Sequence, residues 1–169
     1  SDLFREKVPA TYIADGHHRA ASAAKVRQTL GDKRPKGADY FLTTLFPSNQ
    51  LYIMDYNRVV KDLNGLSKAD FIEKLKADFD IQQEQEAVSP KELHVFGMYL
   101  GGKWYRLKAK QGTYSDDPIG VLDVTVLSNN ILDKLLGIKD QRTDKRIDFV
   151  GGIRGLTELE KRVNSGEME

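Results

Sequence analysis

The sequence predicts an α+β domain, a mixed sheet with packed helices, on three observations. His17–Leu30 is alanine-rich, free of glycine and proline, and followed by Gly31, the composition and stop signal of a helix. Leu93–Tyr99 and Lys103–Lys110 read as two strands joined by Leu100-Gly101-Gly102, a hairpin signature. Phe71, Leu75 and Phe79 recur at four-residue spacing behind Ser67, an apolar stripe on a capped helix.

The remaining elements follow in chain order. Residues 1–7 read as a polar lead-in or short helix. Tyr12–Ala14 is a short apolar strand that turns at Asp15-Gly16 straight into the helix from His17. Ala20, Ala21, Ala24 and Val26 give that helix a small-residue surface suited to lying close to a sheet. Residues 33–37 form a basic loop. Tyr40–Phe46 reads as a buried strand and Leu51–Tyr56 as a second, with Pro47-Ser48-Asn49-Gln50 turning between them. Residues 82–87 are a polar strand or linker, and Ser89-Pro90-Lys91-Glu92 starts a short helix. Trp104 and Leu107 are expected on opposite faces of their strand. Val121–Leu135 is a helix burying Leu122, Val126, Leu132 and Leu136, closed by Gly137. Ile147–Val150 is a short strand, and Gly151-Gly152 leads into a helix over 156–163. His94 has no neighbours at metal-ligand spacing and reads as structural.

Composition bounds the function. The 169 residues suit one domain over 1–169, with 40% apolar residues. Lys plus Arg is 26 and Asp plus Glu is 25, so a formal charge of +1 gives no ground for bulk nucleic-acid binding. Cysteine is absent, which excludes disulfides, thiolate catalysis and cysteine-ligated zinc. No apolar run approaches the roughly 20 residues of a membrane-spanning helix. These features point to a cytoplasmic enzyme or binding protein.

The chemistry concentrates in Asp15-Gly16-His17-His18-Arg19. A helix start exposes unpaired N–H groups and carries positive dipole, so anions are favoured there and cations disfavoured. Two histidines and an arginine in that first turn therefore point to an anion. Gly16 allows a tight turn and close approach of a ligand to the backbone. Arg19 can grip phosphate or carboxylate with paired hydrogen bonds, and His17 and His18 can donate or move protons near neutral pH. Asp15 is the candidate base or metal-orienting group, with a plain helix cap as the alternative. Arg58 is a second candidate cation for the same anion, with an ordinary surface arginine as the alternative. A hydrolase metal site on Asp15, His17 and His18 is disfavoured, because adjacent helical side chains point about 100° apart, and no metal ligand is assigned.

The stretch Ile13-Ala14-Asp15-Gly16-His17-His18-Arg19 resembles the signature of the family called domain of unknown function 1015. Arg142-Thr143-Asp144-Lys145-Arg146-Ile147-Asp148-Phe149-Val150-Gly151-Gly152 is also similar to that family. The strand–Asp-Gly-His-x-Arg–helix turn further resembles the ParB/sulfiredoxin superfamily, which includes nucleotide-dependent free-serine kinases and CTP-binding partition proteins. The resemblance implies a ParB/sulfiredoxin-like element at the N-terminal strand–turn–helix. It implies nucleotide phosphates (ATP, ADP or CTP, with Mg²⁺) at Gly16, His17, His18 and Arg19, and catalytic roles for Asp15 and His17. A small hydroxylated metabolite such as serine is the implied acceptor. The alternative is a non-catalytic nucleotide-responsive module, which predicts a homodimer interface. Family members are longer, so the chain reads as a fragment. It also differs from the family pattern in Ala20, where a bulky aromatic is common, and in Asn57-Arg58, where a His-Arg pair is typical.

Overall fold

A computed structural model describes residues 2–169. The chain divides into two compact units, the second beginning at Ile53. The fold is α+β, with helices and two small antiparallel sheets.

The first unit is helical. Helix α1 spans Asp2–Lys7, and helix α2 spans His17–Leu30 with the bounds the sequence predicts. Gly31 ends α2 at a φ of +50°, a left-handed value that a side chain disfavours. The following turns are held by charge. Arg34 Nε and Arg27 Nε both donate to Asp39 Oδ1, at 2.7 and 2.9 Å. The Arg34 guanidinium first, then Arg27, holds the Asp39 carboxyl below the usual carboxylate range.

The strands expected here do not form. Tyr12–Ala14 is irregular, Tyr40–Phe46 joins no sheet, and of the expected strand Leu51–Tyr56 only Tyr56 lies in a sheet strand, with Asp55 O accepting the Gly152 N–H at 2.7 Å just before it. Tyr40–Phe46 is exposed rather than buried, Leu42 at 96%. A strand is completed only by a neighbour that pairs its N–H and C=O groups, and among its described residues this unit holds no sheet. The small-residue surface of α2 accordingly packs on no sheet of its own unit, and α2 buries no residue. Among its described residues this unit has no buried side chain.

The second unit holds the sheets and both cores. Strand β1, Tyr56–Val60, opens it. Helix α3, Lys68–Leu75, follows Ser67, whose Oγ accepts the Asp70 N–H at 3.1 Å and donates to Asp70 Oδ2 at 2.6 Å. Ser67→Ala removes that cap and is expected to cost about 1 kcal/mol of unfolding free energy in a urea titration. Strands β2 (Phe79–Glu84), β3 (Val95–Leu100) and β4 (Lys103–Ala109) make one sheet in the order β2-β4-β3. The β3–β4 hairpin turns at Gly101-Gly102 as expected, with Leu100 opposite Lys103.

Helix α4, Asp123–Leu127, passes into a π-helical turn at Ser128–Asp133. The predicted single helix is thus divided. Lys134 N–H reaches Asn129 O and Leu136 N–H reaches Ile131 O, i→i+5 bonds that the apolar pattern does not reveal. Val126, Leu132 and Leu136 are buried as expected, but Leu122 is 47% exposed. Gly137 closes the segment at a φ of +67°. Strand β5, Ile147–Gly151, pairs antiparallel with β1, Tyr56 opposite Gly151. Helix α5 is Thr157–Asn164. The expected helix at Ser89–Glu92 is absent. A cap and an early proline do not overcome the cost of nucleating so short a helix.

Two apolar clusters fill this unit. The first joins α3 (Phe71, Leu75), Phe79, Leu107, Leu132, Leu136 and Ile138. The second joins Val59, Val88, Trp104, Val150, Leu159 and Met168. Trp104 and Leu107 therefore serve opposite faces of β4, as strand periodicity requires. The indole N–H of Trp104 is satisfied by Glu160 Oε1 at 2.7 Å. Phe79 is buried but lies on β2, because α3 has already ended at Leu75. Among the described residues no helix is long and apolar enough to cross a membrane.

Candidate functional site

Gly16 stands at the head of α2 with φ +84° and ψ +23°, a left-handed conformation that glycine adopts without penalty. Its N–H donates to Asp15 Oδ1 at 2.7 Å, so Asp15 stabilises the turn locally and does not cap the helix. No side chain caps α2. The first intrahelical bond is Ala20 N–H to Gly16 O, 2.9 Å. The backbone N–H groups of His17, His18 and Arg19 therefore lack intrahelical acceptors.

All three of those side chains are exposed. The first turn carries no acidic residue to offset the dipole. Arg19 Nη2 lies 3.6 Å from Asp15 Oδ2, with both side chains more than 70% exposed, so the pair is weak and the guanidinium is available. A Cβ built on Gly16 would sit 3.0 Å from Arg19 Nη2, so glycine is also what gives the arginine room to fold over the turn. Gly16→Ala combines that crowding with a left-handed backbone. It is expected to destabilise the turn by about 1–2 kcal/mol, read as reduced helicity of α2 by NMR chemical shifts.

Asp15, Gly16, His17, His18 and Arg19 are thus brought together in the first unit, while Arg58 lies on β1 of the second. Arg58 sits over the rings of Tyr56 and Phe149, at 5.5 and 5.7 Å from their centroids, and those rings stack at 5.0 Å. Its Nε donates to Gln141 Oε1 at 3.4 Å, and its Nη1 donates to the Tyr56 carbonyl. Burial pushes the Arg58 guanidinium below its ordinary value. Gln141 in turn donates to Ser128 Oγ at 2.7 Å. Sequence reasoning missed Tyr56, Gln141 and Phe149 as its neighbours, because the last two are brought in from the far end of the chain.

The second motif stretch makes turns. Arg142 Nε pairs with Asp140 Oδ1 at 3.0 Å, holding that carboxyl at about 2. Arg146 pairs with Asp144 at 2.9 Å and donates to Leu136 O at 3.0 Å. Gly152 is required by packing, since a Cβ there would lie 2.8 Å from Asp55 O. The Gly151-Gly152 junction offers no equal of the first turn. The first turn of α5 already carries Glu158 and Glu160, and Arg154 pairs with Glu158 at 3.9 Å. His94 stacks on Tyr114 at 4.1 Å, and its backbone N–H donates to Asp123 Oδ1 at 2.8 Å.

The fold and the turn define an α+β protein with an uncapped, cation-bearing helix start. Residues 2–125 match the family called domain of unknown function 1015, described as a protein of unknown function. That span is well over half of the 169 residues, and the chain belongs to this family. No curated protein and no solved structure matches it.

Proposed function

We propose that this chain is the nucleotide-binding part of a small-molecule phosphotransferase of ParB/sulfiredoxin-like type, working in the cytoplasm. Nucleotide phosphates would be held by the backbone N–H groups and side chains of Gly16, His17, His18 and Arg19. The observation that carries the reading is the head of α2: uncapped, without an acidic residue, and bearing three potentially cationic side chains. A cation at a helix start, as Arg19 is, opposes the dipole by about 0.3–1 kcal/mol, a cost that a bound anion reverses. Arg19 supplies a fork matched to phosphate oxygens, and the histidines supply further donors. Arg58 is not required by this reading.

The residues fit a phosphate better than a free-standing metal. Among the described residues no three His, Cys, Asp or Glu side chains gather at metal-binding distance. Mg²⁺ ordinarily keeps several waters and is shared between substrate phosphates and one or two carboxylates. Asp15 is the carboxylate of the turn, and when bound Mg²⁺ would supply charge neutralisation of the phosphates.

A second reading, a non-catalytic nucleotide-responsive module, is favoured by one observation. Asp15 Oδ1 is already committed to the Gly16 N–H, which suits a turn-forming rather than a proton-accepting carboxylate. Phosphorus NMR with Mg²⁺, serine and ADP, ATP or CTP separates the two. Transfer of phosphate to serine supports the first, and nucleotide binding without transfer supports the second. Absence of nucleotide binding overturns both.

A further inference from the structure

Strands β1 and β3 are each the outer strand of a sheet. Antiparallel ladders turn alternate residues toward and away from the partner strand. The bonds Lys61 N–H to Arg146 O, 2.8 Å, and Gly152 N–H to Asp55 O, 2.7 Å, fix that alternation in β1. Tyr56, Arg58 and Val60 therefore direct their backbone groups away from β5. In the same way Ala109 N–H to His94 O, 2.9 Å, leaves Val95, Gly97 and Tyr99 directed away from β4.

These two outward rows are largely unpaired. Val60 O accepts the N–H of Glu169 at 2.8 Å, and the Tyr56 carbonyl accepts from the Arg58 side chain. Among the described residues the outward backbone groups of Val95, Gly97 and Tyr99 have no hydrogen-bond partner. Both rows line one cavity of about 550 Å³. Its walls come from both apolar clusters, Leu107 and Ile131 from the first, Trp104 and Leu159 from the second. On β3 itself Gly97 is exposed, and Phe96, Met98 and Tyr99 are only partly buried.

We infer that this cavity is a slot for a peptide strand, taking an extended segment that is apolar on both faces and pairs with β1 on one side and β3 on the other. An apolar small molecule would fill the volume but leave two rows of N–H and C=O groups unpaired next to an apolar interior. A polypeptide in extended form offers donors and acceptors along both of its sides. Its alternate side chains would enter the two clusters in turn. The segment would therefore read as a continuous apolar run rather than an apolar–polar alternation. Glu169 on Val60 closes one end, and five residues of β1, roughly 17 Å, set the length.

The test is amide hydrogen exchange by NMR on the whole chain, with a lysine-flanked run of valine and isoleucine as the added peptide. The amides of Arg58, Gly97 and Tyr99 are expected to exchange fast in the free chain and to slow about tenfold or more with peptide. Those of Asn57 and Phe96, which face their ladder partners, are expected to be protected throughout. A peptide N-methylated at alternate residues keeps only one pairing edge and should slow the amides of one strand, Arg58 or Gly97 and Tyr99, but not of both. No added protection at saturating peptide overturns the inference, as does equal protection by decanoate, which would make the cavity a site for an apolar small molecule. Protection that is already present in the free chain and grows with protein concentration also overturns it, assigning the edges to a second copy.

Discussion

Phe79→Ala is expected to lower the unfolding free energy of the second unit by about 3–5 kcal/mol. Phe79 is 1% exposed and meets Phe96 edge-to-face at 5.9 Å between centroids. It joins β2 to the cluster of α3 and the π-helical turn, so its loss opens a cavity where two layers meet. Neighbours relax only partly into such a space, which adds a cavity cost to the lost transfer energy. Trp104 is the single tryptophan and lies in the same unit, so its fluorescence in a urea titration reports this unit. A change below about 1 kcal/mol would show that Phe79 does not join these layers in solution.

The second large effect concerns the anion site. Arg19→Ala is expected to weaken phosphate or nucleotide binding by roughly 10- to 100-fold, the loss of charge-assisted hydrogen bonds of about 1.5–3 kcal/mol. Stability should change little, because the Arg19 side chain is 76% exposed and its ion pair to Asp15 is long. Arg19→Lys keeps the charge but not the fork and is expected to fall between the two. Loss of affinity together with loss of the α2 signals would point instead to a structural role for the arginine.

Much of this was legible where the signals are local. The helix His17–Leu30 is bounded by Gly16 and Gly31, both in left-handed conformations that only a few residue types tolerate. The cap at Ser67 and the Gly101-Gly102 turn are decided within four residues. The Asp15–Arg19 cluster is contiguous, so the sequence places it correctly at a helix start. Readings that depend on a distant partner fared differently. Tyr40–Phe46 has every attribute of a buried strand, but a strand exists only when something pairs with it. Phe79 matches the four-residue repeat of α3, yet the helix has ended and the residue belongs to a sheet. Leu122 fits the apolar period of the following helix but precedes its first residue, Asp123. The neighbours of Arg58 were not legible, because Gln141 and Phe149 come from the other end of the chain.

The central claim is that the head of α2 binds phosphate, and calorimetric titration of ADP with Mg²⁺ into the wild-type chain and into Arg19→Ala tests it most directly. The account predicts saturable binding to the wild type and a dissociation constant raised roughly 10- to 100-fold in the variant, with both proteins equally folded. An equal dissociation constant in the two proteins, or no binding by the wild type, would contradict it.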